Sequence, residues 1–194
     1  MSRVVFMDKD GTLIENVPYN ADPAQIRLTP SARRAIMRLV REDFSIVVVT
    51  NQAGIARGMF PESAMEAIRE RLAELFAPMG AELAGFYYCP HHPEGSVTEF
   101  AVDCECRKPN AGLILRAAED LGVQPADTWM VGDTLDDVEA GNRAGCRTIL
   151  LDNGNETEWR VDGKRWPTVV VGDIDRAAAV IVGVEEPAKV QYTP

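Results

Sequence analysis

Short apolar runs rich in β-branched residues alternate along this chain with segments whose apolar residues recur every three to four positions. The runs contain few polar residues, which is typical of strands buried on both faces of a sheet, and the intervening periodicity indicates amphipathic helices. The pattern predicts strands at Val4–Met7, Ile46–Val49, Phe86–Tyr88, Thr128–Val131, Thr148–Leu151 and Thr168–Val171. It predicts helices near Ser31–Arg41, Pro61–Phe76, Ala111–Leu121, Leu135–Ala144 and Ile174–Val182.

This alternation predicts an α/β fold, a Rossmann-like parallel sheet with helices on both faces and right-handed crossovers. At 194 residues the chain fits one compact domain. We place that domain at residues 1–183 and expect 184–194, which has few large apolar residues, to be a loosely attached tail. The length leaves no room for a large cap domain.

Composition narrows the class of function. No apolar run approaches the roughly 20 residues of a membrane helix, and the first residues lead into a strand without a signal-peptide pattern. We therefore expect a cytoplasmic protein with no membrane partner, and we expect a monomer. The net charge of −10 argues against a nucleic-acid partner. An anionic small molecule fits if a metal ion, a few basic residues and helix N-termini supply local positive charge.

Polar side chains follow the predicted strands at the points where those strands end. Asp8 and Asp10 follow the first strand, Thr50 and Asn51 follow the second, and Asp133 follows the fourth. Because parallel sheets bind their ligands outside the carboxyl ends of the strands, we expect these residues to line one site.

The most informative signal is the pair Asp8 and Asp10. Residues two apart in an extended chain point the same way, so both carboxylates can face one site. They repel each other unless a cation or a shared proton intervenes. With magnesium bound, Asp8 can act as a nucleophile and Asp10 as a proton shuttle. A solvated turn or a calcium loop is the alternative, which the preceding apolar strand disfavours. We expect the side chain of Lys9 to point away from the pair.

Three further segments add to this candidate site. Thr50–Gln52 presents a hydroxyl and backbone N–H groups that can bind phosphoryl oxygens, although such a segment can also cap a helix. Arg107 and Lys108 supply two cations, which alone would be ordinary surface charge. Asp133 offers a carboxylate suited to a metal, whereas the pair Asp136–Asp137 is expected to contain a helix-capping residue.

Three of the four cysteines and both histidines lie in the stretch 89–106. Two ligand pairs, each with one intervening residue, are separated there by twelve residues. Four such ligands form a closed tetrahedral set that suits structural zinc. His92 is the alternative to His91, and a cluster of free cysteines is the alternative to a metal site. The predicted zinc ligands are Cys89, His91, Cys104 and Cys106.

The motifs Asp8-x-Asp10-Gly11-Thr12, Thr50-Asn51, Lys108 and Gly132-Asp133-x-x-x-Asp137, in that order, resemble the haloacid dehalogenase superfamily of phosphatases. The resemblance implies that Asp8 is the nucleophile and Asp10 the general acid and base. It further implies Thr50 and Lys108 as phosphate ligands. Magnesium would bind Asp8, Asp133 and the backbone carbonyl of Asp10.

The segment 89–106, which we call the zinc knuckle, and its flanking residues resemble a more specific family within this superfamily. Together with Arg107-Lys108-Pro109 and the segment 50–58, the knuckle looks like that of the D-glycero-D-manno-heptose 1,7-bisphosphate 7-phosphatase family. The resemblance implies a phosphorylated sugar as substrate and a role in making heptose for surface polysaccharides. The substrate-binding residues expected on this basis are Tyr19, Asn20, Asn51, Gln52, Arg57 and Arg107.

Other functions stay open at this point. Histidinol-phosphate phosphatases share the zinc ligands but carry a shorter loop between the pairs, and a broad sugar-phosphate phosphatase is a further enzyme alternative. A zinc-stabilised binding protein without activity belongs to a different class, and the intact Asp8 and Asp10 argue against it. A nucleic-acid 3′-phosphatase is disfavoured by the net charge of −10.

Overall fold

The computed structural model describes residues 3–185. The strands in this range are β1 (Arg3–Met7), β2 (Phe44–Asn51), β3 (Leu83–Cys89), β4 (Trp129–Gly132), β5 (Arg147–Leu151) and β6 (Val169–Val171). The helices are α1 (Ala32–Arg41), α2 (Ala53–Ala56), α3 (Ala64–Phe76), α4 (Gly112–Leu121), α5 (Leu135–Ala144) and α6 (Ile174–Ile181). The predicted alternation of strand and helix is confirmed.

All six strands are parallel and form one sheet in the order β3-β2-β1-β4-β5-β6. The central strand β1 lies between β2 and β4, with Met7 level with Val48 and Val131. Because these strands end at the same edge, the residues that follow them emerge side by side.

Alternate residues of β1 pack against different helical layers. Val5 and Met7 belong to the core formed with α1, α3 and α6. Val4 and Phe6 belong to a second core formed with α4 and α5. Each fully buried aliphatic or aromatic side chain of this kind stabilises the fold by about 1.5–3 kcal/mol. Helices therefore cover both faces of the sheet, as expected, and hold rigid the strand ends that carry the site.

The structure differs from the prediction at a few boundaries. The helix α3 begins at Ala64 rather than Pro61, because Pro61–Ser63 forms a turn in which the Ala64 amide donates to the Pro61 carbonyl at 3.0 Å. The four-residue helix α2 was not predicted, since one turn is too short to show a period. Of the expected tail, residues 186–194 lie outside the described part.

Within residues 3–185 no connection forms a large cap domain, and the main irregular connections span 8–31, 90–111 and 152–168. No helix in the described range has both the length and the apolar character needed to cross a bilayer.

Candidate active site

The carboxylate of Asp8 lies directly after β1 and is bonded to a buried lysine. The Asp8 amide donates to the Val131 carbonyl at 2.9 Å, so the β1–β4 ladder fixes the backbone of Asp8. Lys108 Nζ donates to Asp8 Oδ1 and to Asp137 Oδ1, each at 2.5 Å, and to the Val49 carbonyl at 3.0 Å. All three ammonium donors have partners, which fixes Lys108 between the strand ends.

Two further carboxylates lie at the end of β4 and the start of α5. Asp133 accepts hydrogen bonds from Thr12 Oγ1 at 3.1 Å and from Asn155 Nδ2 at 2.7 Å. Asp137 Oδ2 accepts from the amide and the hydroxyl of Thr134 at 3.1 and 2.7 Å, which forms a capping box for α5. Capping was expected of either Asp136 or Asp137, and it is Asp137 that caps the helix, in addition to its contact with the lysine.

The charges in this cluster are unbalanced. The carboxylate oxygens of Asp8, Asp133 and Asp137 lie within 4.8 Å of one another, against the single ammonium of Lys108. Burial raises the pKa of Asp8 to about 8 and that of Asp133 to about 6, and the neighbouring carboxylates act in the same direction. Burial alone would lower the pKa of Lys108, but Asp137 and Asp8 outweigh it and raise that pKa. A divalent cation with a preference for oxygen ligands fits this arrangement.

Two glycines allow the carboxylates to approach this closely. A Cβ on Gly11, whose φ is +78°, would lie 2.0 Å from Asp133 Oδ2. A Cβ on Gly132 would lie 2.2 Å from the Cβ of Asp137. Both glycines of the recognised motifs are therefore required by contact between the segments that carry the acidic residues.

Asp10 is bonded through both of its carboxylate oxygens. Lys9 Nζ donates to Asp10 Oδ1 at 2.7 Å, and Gln52 Nε2 donates to Asp10 Oδ2 at 3.2 Å. The expectation that Lys9 points away is wrong. Residue 9 lies in a turn, where its carbonyl accepts from the amides four and five residues further on, so the side-chain alternation of an extended strand no longer applies.

Thr50 and Asn51 come from the end of β2. Thr50 lines a cavity of about 220 Å³ together with Asp8, Lys108 and Asp133. The Asn51 amide has two bonds to the backbone of Lys108, donating to its carbonyl and accepting from its N–H, both at 3.0 Å. Asn51, predicted to bind substrate, thus holds the lysine in place from the neighbouring strand.

A second cavity of about 360 Å³ shares Asp10 and Asn51 with the first and therefore adjoins it. Its wall includes Tyr19, Asn20 and Arg107, three of the residues predicted to bind substrate. Arg107 Nη1 donates to the carbonyl of residue 91 at 3.3 Å, which ties this cation to the cysteine-rich loop.

Arg57 reaches the second cavity through Tyr19. Its guanidinium carbon lies 5.8 Å from the centroid of the Tyr19 ring, within the range of a cation–π contact. Arg57 Nη2 lies 3.3 Å from His92 Nε2. Tyr19 is 45% exposed, so this side of the cavity is open to solvent.

The four predicted zinc ligands converge. Cys106 Sγ lies 3.0 Å from Cys89 Sγ and 3.3 Å from Cys104 Sγ, and His91 Nδ1 lies 3.3 Å from Cys106 Sγ. These distances exceed a disulfide bond of about 2.05 Å and approach the edge of about 3.8 Å of a tetrahedron with Zn–S bonds of about 2.3 Å. Hydrogen bonding with Cys89 lowers the pKa of Cys106 to about 5 and favours the thiolate, the form that binds metals. The set fits zinc, and His92 points to Arg57 instead.

Besides the contacts of Lys9 and Asn51, sequence reasoning missed one partner of Asp133 and one partner of Asp137. Asn155, which bonds to Asp133, lies in the connection after β5, and no spacing or motif connects it to the acidic cluster. The ion pair between Asp137 and Lys108 has a signal in the motif Gly132-Asp133-x-x-x-Asp137, whose last residue was assigned only to capping.

A parallel sheet whose strand ends carry an Asp-x-Asp turn, a buried lysine and two further acidic residues defines a phosphate-transferring hydrolase of the haloacid dehalogenase type. A family model described as HAD-hydrolase-like matches residues 105–179. The D-glycero-beta-D-manno-heptose-1,7-bisphosphate 7-phosphatase of Pasteurella multocida is 36% identical over 187 residues, which cover 95% of this chain and 100% of that one. The protein of the same name from Escherichia coli K12 is 40% identical over 147 residues, 76% of this chain and 77% of its own.

A solved structure supports the same relationship. The crystal structure of D,D-heptose 1,7-bisphosphate phosphatase from B. bronchiseptica, complexed with magnesium and phosphate, aligns with a TM-score of 0.76 and 27% identity. The alignment covers 94% of this chain and 99% of that one. The chain therefore belongs to the family of HAD-like hydrolases that includes these phosphatases, and it is a phosphomonoester hydrolase.

Proposed function

We propose that this protein removes the 7-phosphate from D-glycero-D-manno-heptose 1,7-bisphosphate through an aspartyl-phosphate on Asp8. The observation that carries the proposal is the position of Asp8 at the end of β1, bonded to Lys108 within a cluster of three carboxylates. The names of the relatives and the adjoining cavity support the choice of substrate.

Asp8, Asp133 and the backbone carbonyl of Asp10 would hold Mg²⁺. The excess of carboxylates over ammonium groups in the cluster supports this assignment. When bound, the metal supplies positive charge to the phosphoryl oxygens. Asp137 has a different task, because its two oxygens are taken up by Lys108 and by Thr134.

The side chains of the site fit a two-step displacement. Among residues 3–185, one oxygen of Asp8 accepts from Lys108 and the other has no hydrogen-bond partner, so the second can attack phosphorus. As the bond from phosphorus to the sugar oxygen breaks, its electron pair stays on that oxygen and Asp10 donates a proton to it. Water then attacks the phosphoryl group while Asp10 takes a proton, which releases phosphate and restores Asp8. Thr50 and Lys108 stabilise the charge on the phosphoryl oxygens.

Zinc on Cys89, His91, Cys104 and Cys106 would have a structural role, because four protein ligands leave no open position. Cys106 directly precedes Arg107 and Lys108 in the chain. A knuckle held rigid by metal would therefore fix the backbone from which both of these cationic side chains extend.

A bisphosphate suits two adjoining cavities. The reacting phosphate would occupy the smaller cavity beside Asp8 and Lys108, while the sugar and the second phosphate would extend into the larger one. Arg107 and Arg57 would attract the second phosphate without taking part in the chemistry. Binding energy from that remote contact would help to orient the reacting phosphate.

A panel of phosphorylated metabolites assayed with Mg²⁺ tests this function. We expect kcat/KM for the heptose bisphosphate to exceed that for histidinol phosphate by a wide margin, and phosphorus NMR should show loss of the 7-phosphate. Equal kcat/KM values for these two compounds would refute the substrate and leave the phosphatase activity intact. The Asp8→Asn variant controls for contaminating phosphatases.

Quaternary structure and location stay predictions. We expect a monomer that acts in the cytoplasm and supplies heptose for surface polysaccharides. Sedimentation and cell fractionation would test both expectations.

A further inference from the structure

Lys9 is a buried cation beside the candidate acid–base residue. Its side chain is 1% exposed, and its ammonium donates to Asp10 Oδ1 at 2.7 Å. Burying an ammonium is unfavourable unless it is paired, and an apolar side chain of similar volume is often as stable or more stable at such a position. Stability alone therefore does not account for a lysine here.

The other oxygen of Asp10 is held from the opposite side. Gln52 is 5% exposed, and its Nε2 donates to Asp10 Oδ2 at 3.2 Å and to Thr50 Oγ1 at 2.9 Å. The two hydrogens of that amide nitrogen thus join Asp10 to a residue of the phosphate cavity. The Asp10 side chain keeps 29% exposure, and Asp10 lines both cavities.

We propose that Lys9 and Gln52 are positioning residues that aim the Asp10 carboxyl at the leaving oxygen of the substrate. The inference rests on the proposed function. Lys9 gives Oδ1 a charge-assisted hydrogen bond at 2.7 Å, whereas Gln52 gives Oδ2 only a neutral one at 3.2 Å. Negative charge is therefore favoured on Oδ1, and the transferable proton sits on Oδ2, the oxygen on the Thr50 side, which still accepts from Gln52 through its remaining lone pair. When the phosphorus–oxygen bond breaks, that proton moves from Oδ2 to the leaving oxygen, which retains the bonding electron pair.

Two substrates with different leaving groups can distinguish this positioning role from a merely structural one. A sugar alkoxide needs a proton as it departs, whereas p-nitrophenolate is stable as an anion near neutral pH. The ratio kcat/KM covers the steps only as far as the aspartyl-phosphate, so the second use of Asp10 with water does not enter it. Misplacing Asp10 should therefore lower kcat/KM for the sugar phosphate selectively.

The test compares Lys9→Met with Lys9→Arg on the heptose bisphosphate and on p-nitrophenyl phosphate. We expect Lys9→Met to lower kcat/KM about 10- to 100-fold for the sugar and less than about threefold for the aryl ester. The loss for the sugar is smaller than the ~10²- to 10⁴-fold contribution of a proton-transfer group itself, because Asp10 is misplaced and not removed. Lys9→Arg restores donors at a similar reach and should recover most of the loss. Lys164→Met, the same change at an exposed lysine in the turn Gly163–Arg165, should leave both rates unchanged.

Equal losses on the two substrates, or no loss on either, would overturn the inference. If Lys9→Met does not fold, as circular dichroism would show, Gln52→Met removes the other hydrogen bond and should give the same selectivity. A wild-type enzyme that cleaves neither ester would refute the proposed function itself. A wild-type enzyme that cleaves both, with variants that lose both equally, would refute only the positioning role.

Discussion

The floor of the site and its rim differ in how their charges are held. The floor, which consists of Asp8, Thr50, Lys108, Asp133 and Asp137, has no residue more than 7% exposed. The rim consists of Tyr19, Asn20, Arg57 and Arg107, and its charged groups meet aromatic rings and backbone carbonyls at the surface.

This difference predicts that substitutions in the floor should abolish activity, whereas substitutions in the rim should change substrate selectivity. Removing one partner of a buried ion pair costs about 3–5 kcal/mol, because the other charge stays buried without compensation. An exposed pair contributes about 0–1 kcal/mol. The floor therefore fixes the chemistry, whereas the rim can adapt to the shape of a substrate.

The largest effect is expected at the nucleophile. Asp8→Asn keeps an oxygen that can accept from Lys108 but removes the attacking carboxylate, so kcat should fall by about 10⁴-fold or more. The matched control Asp120→Asn changes an exposed acidic residue of α4 that accepts from the Tyr87 hydroxyl at 2.9 Å and lines neither cavity, and it should stay active. Trapping of the acyl-phosphate should label Asp8, and a label on any other residue would contradict the mechanism.

The zinc knuckle should give the next largest effect. We expect about one zinc per wild-type chain by elemental analysis, as one closed site requires. Cys104→Ser should lose the zinc, lower the melting temperature and reduce kcat/KM by about 10- to 100-fold, as for other residues that orient a site. Added magnesium should not restore the activity.

Cys146→Ser is the matched control for that experiment. Cys146 is buried in the second core, where its sulfur accepts from Thr128 Oγ1 at 3.2 Å. This variant should keep its zinc. A Cys104→Ser protein that retains full zinc, or that loses zinc and keeps full activity, would refute the structural assignment.

Much of the floor could be predicted because its signals are local. Asp8, Thr50 and Asp133 each follow a short apolar strand, and the order of a parallel sheet brings such strand ends together. The four residues of the Cys/His cluster were also predicted by spacing, since each pair lies within three consecutive residues.

The contacts that were missed depend on the path of a loop. Lys9 turns back to Asp10 because the chain leaves the extended conformation at that point. The bond from Asn155 to Asp133 joins the connections after β4 and β5, and that from Asn51 to Lys108 joins β2 to the end of the knuckle. Contacts of this kind between loops cannot be read from the spacing or the type of residues along the chain.

At the rim the expected effect is smaller and selective. Arg107→Ala removes a cation from the second cavity, so kcat/KM for the heptose bisphosphate should fall about tenfold, a change of about 1.4 kcal/mol. For p-nitrophenyl phosphate, which has no second phosphate, the change should stay below about threefold. Arg116→Ala, on the exposed side of α4, is the control. Equal losses on both substrates would place Arg107 in the chemistry rather than in substrate selection.

The smallest effect concerns stability in the absence of magnesium. The pKa values of Asp8 and Asp133, about 8 and about 6, lie above their ordinary value of 3.8. Between about pH 4 and about pH 8, the folded protein therefore binds more protons than the unfolded chain. Its free energy of unfolding should fall as the pH rises through this range. Magnesium binds the deprotonated carboxylates and should therefore stabilise the protein more at pH 8 than at pH 5.

Thermal denaturation of zinc-loaded, magnesium-free protein checks this expectation. A gain of 1 kcal/mol raises the melting temperature of a chain this size by about 2–4 °C, which sets the scale for the magnesium effect at pH 8. Asp8→Asn cannot titrate at this position, so its melting temperature should depend less on pH and respond less to magnesium. The opposite outcomes are a melting temperature that rises between pH 5 and pH 8 without magnesium, and a melting temperature that responds equally to magnesium at both values. Either result would show that repulsion among the buried carboxylates of the floor does not determine how stability depends on pH.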